Sequence, residues 1–315
     1  MLFRQLEYFV AVARERHFAR AADACFVSQP ALSVSIAKLE RELNVTLINR
    51  GHNYQGLTPE GERLVVWAKR ILAEQEAFKA EVAAVQSGIT GTLRLGAEPT
   101  ASTTLALPVT AFCAAHPLAK VQVRSRLSTT ELIRQLRAFE LDAAIAHFGP
   151  EDRDGLQVTP LYEERYMLLA AADQLLPQSD TLTWAEASQL PLALLTSDMR
   201  IRQVIDSAFT RSGVTVIPQV ETDSVATLYA NVGAGACTSI VPHTWLRALP
   251  VTGRMRVLRL VEPDARALIS VAIHDATPGS LAARAFITAA ASLRLDEFFD
   301  QPLPVTEPFL TSVRE

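Results

Sequence analysis

Phe26-Val27-Ser28-Gln29-Pro30-Ala31-Leu32-Ser33-Val34-Ser35-Ile36-Ala37-Lys38-Leu39 contains a well-marked helix start. Ser28 is a good N-cap, because its hydroxyl can accept from a free amide of the first turn. Pro30 falls inside that turn, where its missing N–H costs nothing. The helix runs from Ala31 to about Leu43, with Leu32, Ile36, Leu39 and Leu43 on one face and Ser33, Ser35 and Lys38 off it. Upstream, Leu2, Leu6, Phe9, Val10 and Ala13 recur at helical spacing. A second short apolar helix, Ala19 to Cys25, follows His17 and Phe18. Residues 1–58 therefore read as a group of short helices with little strand.

Working outward, Thr58 caps the next helix and Pro59 follows it. The pattern runs to about Ser87, where Gly88 and Gly91 end it, a length of about 45 Å. Leu64, Ala68, Ile71, Gln75, Phe78, Val82 and Val85 alternate by fours and threes, a seam of period about 3.5 interrupted by Gln75. The opposite face is charged (Glu62, Arg63, Lys69, Arg70, Glu76). The spacing predicts a dimerising helix over residues 59–88.

After Gly91 the texture changes. Thr92–Gly96 reads as a strand, Ser102–His116 as a helix, Val121–Arg124 as a strand, Ser128–Phe139 as a helix and Asp142–Ala146 as a buried strand. That order predicts a parallel sheet. A second set begins at Tyr166–Ala171. It continues through Leu192–Leu195, a helix from about Asp198, Gln219–Glu221, a helix from about Ser224, and Ser239–Val241. Leu268–Ile273 and a final helix, about Gly279–Phe298, complete it. Two such halves imply a cleft between them.

The chain has 315 residues, which at about 150 per domain suggests two domains. With 49% hydrophobic and 20% charged residues its composition is that of a globular protein. Residues 1–58 hold seven Arg and Lys against five Asp and Glu, residues 59–88 four against five, and the remaining 227 residues 19 against 24. A slightly basic front on an acidic body suits a small DNA-binding head on a different module. Cys25, Cys113 and Cys237 are too few and too scattered for a disulfide framework or a zinc ribbon. Arg4 and Glu7 interrupt the first apolar segment, and no stretch approaches about 18 uncharged apolar residues. Secretion and membrane insertion are disfavoured, and a cytoplasmic location is expected. Gly233-Ala-Gly235 follows a helix and precedes a strand, the reverse of a dinucleotide fingerprint. No cofactor, metal site or catalytic constellation is expected.

Leu6-Glu-Tyr-Phe9-Val-Ala-Val-Ala, Phe18-Ala-Arg-Ala-Ala22, Val27-Ser-Gln-Pro-Ala-Leu-Ser33, Ile36-Ala-Lys-Leu-Glu40, Leu43-Asn-Val-Thr-Leu-Ile-Asn-Arg50 and Leu57-Thr-Pro-Glu-Gly61 together resemble the head of the LysR-type transcriptional regulators. The resemblance continues, in the order of elements, to about residue 299. It implies an α/β protein with an N-terminal winged helix-turn-helix, a long linker helix and a two-lobed effector domain like a periplasmic binding protein. The implied divisions are 1–58 for the DNA-binding head, 59–88 for the linker and 91–299 for the effector domain. Lobe I would take about 91–161 and 267–299, lobe II about 162–266, leaving a tail at 300–315. The resemblance also implies a homotetramer built as a dimer of dimers, bound to a double-stranded DNA operator.

In that frame Ser28, Gln29, Pro30, Ser33, Ser35 and Lys38 lie on the recognition helix, and Arg50 and Thr58 match the family's wing. Gln29 suits a bidentate contact to adenine, and Lys38 can reach a phosphate or a guanine. The effector is expected between the lobes, at strand ends that open helices. Thr100, Ser102, Thr129, Thr196 and Thr222 offer hydroxyls there, beside free amides that suit an anion. His147, Arg200 and Arg202 are candidates for its countercharge. The expected effector is thus a small carboxylate or other small anion.

One departure concerns Gly235-Ala-Cys237, where many relatives carry Gly-x-Gly. A thiol-based redox sensor of the same family is therefore the alternative, since peroxide-sensing relatives use a paired cysteine in this domain. A solute-binding protein is the rival of another class. It would keep residues 91–299 and leave the helix-turn-helix unexplained.

Overall fold

The computed structural model describes residues 1–50, 54–249, 255–275 and 279–301. The chain opens with α1 (Phe3–Glu15), α2 (Phe18–Ala24) and α3 (Gln29–Leu43), then an antiparallel hairpin of β1 (Ile48–Arg50) and β2 (Tyr54–Leu57). α1 and α3 both end on a residue in the left-handed region, Arg16 at φ 51° and Asn44 at φ 52°, which turns the chain sharply. Leu6, Phe9, Val12, Leu32, Ile36, Leu39, Leu47 and Ile48 form the head's core.

α4 (Pro59–Ser87) is the expected long helix, but its seam is divided. Val65 and Ala68 are buried in the head's core, with Leu64, Ile71 and Leu72 packed against it. Further along, Phe78, Val82 and Val85 are exposed, and Val66 and Trp67 are exposed on the first half. Half of the seam read as a dimer contact is thus the head's own core. At Gly61 no side chain fits, because a Cβ would lie 2.1 Å from the Leu47 carbonyl oxygen.

The effector module begins with β3 (Gly91–Ala97), α5 (Ala106–Ala115), β4 (Ala119–Arg124), α6 (Thr129–Arg137) and β5 (Ala143–Ala146), a parallel set ordered β4-β3-β5. β6 (Leu156–Ala171) follows. Then come β7 (Thr181–Thr183), α7 (Trp184–Ala187), β8 (Leu192–Leu195), α8 (Arg200–Arg211), β9 (Val220–Thr222), α9 (Val225–Gly233), β10 (Thr238–Pro242), α10 (Trp245–Ala248) and β11 (Met255–Val261). β12 (Arg266–His274), α11 (Leu281–Ser292) and α12 (Leu295–Asp300) return to the first lobe.

The strands follow the order β4-β3-β5-β12-β6-β10-β8-β9. β6 joins the lobes. Its residues up to Arg165 pair antiparallel with β12, and Tyr166–Ala171 pair with β10 and β11. One lobe packs around Phe112, Tyr162 and Phe286, the other around Trp184, Phe209 and Trp245. This is an α/β chain with a winged helix-turn-helix head, a long helix and a two-lobed module.

Several expected elements are corrected. The helix expected from Ser102 starts at Ala106, after a 3-10 turn at Ala101–Thr103. Thr103 and Thr104 donate their hydroxyls to the Thr100 and Ala101 carbonyls at 3.0 Å, which competes with regular helix. The second set's first strand begins at Leu156, not Tyr166. The final helix breaks at Arg294 (φ 45°), which lets Leu295 and Phe299 join the first lobe's core. The tail beyond Gln301 lies outside the described residues.

Candidate functional site

The head presents one face of α3. Ser28 Oγ accepts from the Ala31 amide at 3.4 Å, and Pro30 stands in the first turn, as the sequence requires. With Leu32, Ile36 and Leu39 fully buried, Gln29, Pro30 and Lys38 are exposed, and Ser33 and Ser35 sit half-buried on the flanks. Phe26, in the turn before the cap, is 95% exposed and holds φ at 56°.

Arg50 ends β1, and its side chain lies outside the described residues. Thr58 is buried. Its hydroxyl donates to the Thr46 carbonyl at 2.6 Å and accepts from the Gly61 amide at 2.9 Å. That hydroxyl joins the wing to α4 and has no donor left for a phosphate.

The second site lies where the lobes meet. Glu98 follows β3, His147 follows β5 and Glu164 lies within β6. All three are buried. His147 Nδ1 lies 3.1 Å from Glu98 Oε2, and its Nε2 lies 3.5 Å from Glu164 Oε2. Thr129, at the start of α6, donates its hydroxyl to Glu98. From the second lobe, the Thr244 hydroxyl donates to Glu164 Oε1 at 3.3 Å, and the Trp245 indole N–H donates to the Thr100 carbonyl at 3.0 Å. The Thr104 and Tyr162 hydroxyls are 2.5 Å apart. Burial alone would push the His147 pKa down. Attraction to Glu164 and Glu98 outweighs it and raises the value to about 9. Near neutral pH a buried imidazolium therefore clamps carboxylates from two parts of the sheet.

Two buried hydroxyls here, Thr100 Oγ1 and Tyr166 OH, have no hydrogen-bond partner among the described residues, while His147 Nε2 and Glu164 Oε2 have only their 3.5 Å ion pair with each other. Such orphans are uncommon and call for a partner.

The other expected effector residues are dispersed. Ser102 donates its hydroxyl to the Pro99 carbonyl at 2.5 Å. The Thr196 amide donates to the Thr222 carbonyl at 3.1 Å, and Thr222 Oγ1 accepts from the Ser224 amide at 3.1 Å. Arg202, read as a possible countercharge, is buried and committed. It donates to Asp206 at 2.8 Å and to Glu221 and the Leu195 carbonyl at 2.7 Å. A side chain so engaged tethers α8 to β8 and β9. Arg200 remains half-exposed, 3.8 Å from Glu151 of the other lobe. Glu98, Glu164, Thr244 and Trp245 went unread in the sequence. The signal for Glu98 was a carboxylate directly before Pro99 at a strand end.

Cys25 is half-buried in the head, Cys113 lies against the first lobe's core and Cys237 is buried just before β10. All three are free thiols, and burial pushes those of Cys25 and Cys237 up. Among the described residues there is no group of three or more His, Cys, Asp or Glu able to hold a metal. Among them, too, no helix is long and apolar enough to cross a membrane.

A family model described as "Bacterial regulatory helix-turn-helix protein, lysR family" matches residues 3–62, and one described as "LysR substrate binding domain" matches residues 86–293. The chain is 31% identical over 293 residues to the probable hydrogen peroxide-inducible genes activator of Streptomyces viridosporus, covering 92% of each chain. It is 30% identical over 307 residues to the DNA-binding transcriptional dual regulator OxyR of Escherichia coli, covering 96% of this chain and 99% of that one. A solved full-length OxyR variant from Pseudomonas aeruginosa matches with a TM-score of 0.75 at 26% identity, over 94% of this chain and 95% of that one.

Proposed function

The chain belongs to the LysR family of DNA-binding transcriptional regulators, and on that premise we propose that a small ligand taken up where the lobes meet sets its hold on operator DNA. The observation that carries this reading is the pair of orphaned hydroxyls, Thr100 Oγ1 and Tyr166 OH, beside the buried Glu98–His147–Glu164 clamp. A ligand that satisfies them favours one lobe arrangement, and differential affinity for two arrangements is what shifts a population. The division into a head at 1–58, a linker at 59–88 and an effector domain at 91–299 is part of the proposal, as is a dimer-of-dimers assembly.

The charge of this site bears on the ligand's class. Two carboxylates face one imidazolium, and Arg202 is already engaged. A small carboxylate or inorganic anion would depend on Arg200 for its countercharge. A neutral polar molecule matches the orphaned Thr100 and Tyr166 hydroxyls without one. Thermal-shift screening of small organic acids, inorganic anions and neutral polar metabolites separates these classes, since a ligand of the folded state stabilises it by mass action. Thr100→Val should weaken the hit and leave DNA affinity in its absence intact. A screen in which no small molecule stabilises the chain contradicts the proposal.

For DNA we propose that α3 lies in the major groove with Gln29 on base edges, Ser28, Pro30, Ser33 and Ser35 at close approach and Lys38 on a phosphate. Gln29→Ala should cost about 1–3 kcal/mol and relax specificity at one position. Lys38→Ala should weaken all sequences alike and reduce the salt slope by about one. Gel-shift titrations at several salt concentrations distinguish the two, and unchanged binding by both variants removes the assignment.

A second reading rests on the names of the relatives, which are peroxide-inducible activators. A thiol sensor here would act through Cys113 or Cys237, which lie in different lobes. Burial of Cys237 works against the thiolate such chemistry needs. Peroxide treatment followed by DNA titration tests it. A response abolished by Cys237→Ser would replace the ligand reading.

A further inference from the structure

Over the first two turns of α3 the residue pointing most directly away from the head is not one of the polar residues the sequence singles out. Leu32, Ile36 and Leu39 mark the buried direction. At about 100° per residue, Val34 stands about 200° round the helix from Leu32. It is 65% exposed. Pro30 lies one turn before it and Lys38 one turn after it, both exposed, and Ser33 and Ser35 flank it half-buried. The outermost ridge over the first two turns is therefore apolar, Pro30 and then Val34. Single exposed apolar residues are common on protein surfaces. This one occupies the middle of the face that a DNA-reading helix lays against base edges.

An aliphatic side chain there can neither donate nor accept. In the major groove it can recognise one feature of one base, the C5-methyl group of thymine, by apolar contact. The alternative placements are costly, because a valine pressed on a guanine or cytosine edge would desolvate donors or acceptors without replacing their hydrogen bonds.

We infer that Val34 is a specificity-determining residue that selects thymine in the operator through its 5-methyl group. This rests on the placement of α3 in the major groove. Failure of that placement would abolish binding differences altogether, whereas failure of this inference alone leaves binding intact and changes only which base is preferred.

The test uses the full chain and a duplex enriched by it from a random-sequence pool. Each thymine of the enriched site is replaced singly by deoxyuridine, which removes only the methyl group. The expected result is one position per half-site where the replacement weakens wild-type binding about fourfold, the effect of one buried methyl group. Val34→Ala should weaken binding to the thymine duplex comparably and bind thymine and deoxyuridine duplexes alike. Val34 is exposed, so the variant should keep the wild-type melting curve. Gln29→Ala should retain the thymine preference at that position. The inference is overturned if no single replacement weakens binding. It is equally overturned if the enriched site carries no thymine beneath the helix, or if Val34→Ala keeps the wild-type preference.

Discussion

His147 joins parts of the molecule that are far apart in sequence, and its proton is part of the joint. Its folded pKa of about 9 stands above the ordinary histidine value of 6.5. A group whose pKa is raised by folding stabilises most when protonated in both states. The contribution is fully present below about pH 6.5, declines above it, and is gone beyond pH 9. At full strength the shift corresponds to about 3 kcal/mol. Thermal unfolding from pH 6 to pH 10 should therefore show the chain losing stability across that window, and His147→Gln should flatten the slope. A variant whose pH dependence overlays the wild type would remove His147 from the account. Phe26 is a second single-residue case. A bulky L-residue in the left-handed region costs about 1–2 kcal/mol, and its ring is exposed. Asparagine tolerates that conformation. Phe26→Asn should raise the denaturation midpoint by about 1 kcal/mol of stability, and a lower midpoint would mean that the ring has a packing role.

At the scale of elements, α4 shows how much of the fold was legible. Its cap, its proline and its glycine stop follow from local rules, and the helix lies where they put it. What its apolar residues touch does not follow from spacing. Leu64, Ala68 and Ile71 meet the head's core, while Phe78, Val82 and Val85 lie on the same helix without cover. Periodicity names a face but not its partner. The same limit explains β6, where a strand paired with different partners along its length showed only its apolar end. It also explains the clamp, since Glu98 and Glu164 read as ordinary charges until the sheet brought them to His147. The cap at Ser28 and the core face of α3 were legible, because both depend on neighbours in sequence. The division of α4 gives a prediction. Phe78→Asp with Val82→Asp should leave the monomer folded and shift sedimentation toward smaller species, with loss of cooperative DNA binding. Ile71→Asp should instead destabilise the head. Intact oligomers in the double variant would assign assembly to another surface.

At the scale of the whole molecule, the head and the lobes are joined mechanically by α4. Lys69 pairs with Glu140 at 2.7 Å, and Glu81 pairs with Arg284 of α11 at 2.7 Å. A change in the lobes is thereby applied to the helix whose first turns are part of the DNA-binding head. Across the lobes, Arg200 and Glu151, and Arg126 and Asp223, each lie 3.8 Å apart at the exposed rim. Pairs so exposed contribute little. The buried Glu98–His147–Glu164 clamp, joined from the second lobe by Thr244 on Glu164 and Trp245 on Thr100, is the stronger hold on the lobes' relative position. The most direct test is an operator titration and footprint with wild type and Glu164→Gln on one enriched duplex. The variant keeps the shape and removes the charge that holds His147 Nε2. The account predicts an affinity change on the order of tenfold, matching a coupling of about 1–3 kcal/mol, together with an altered footprint. An identical affinity and footprint in a variant that remains folded would contradict it.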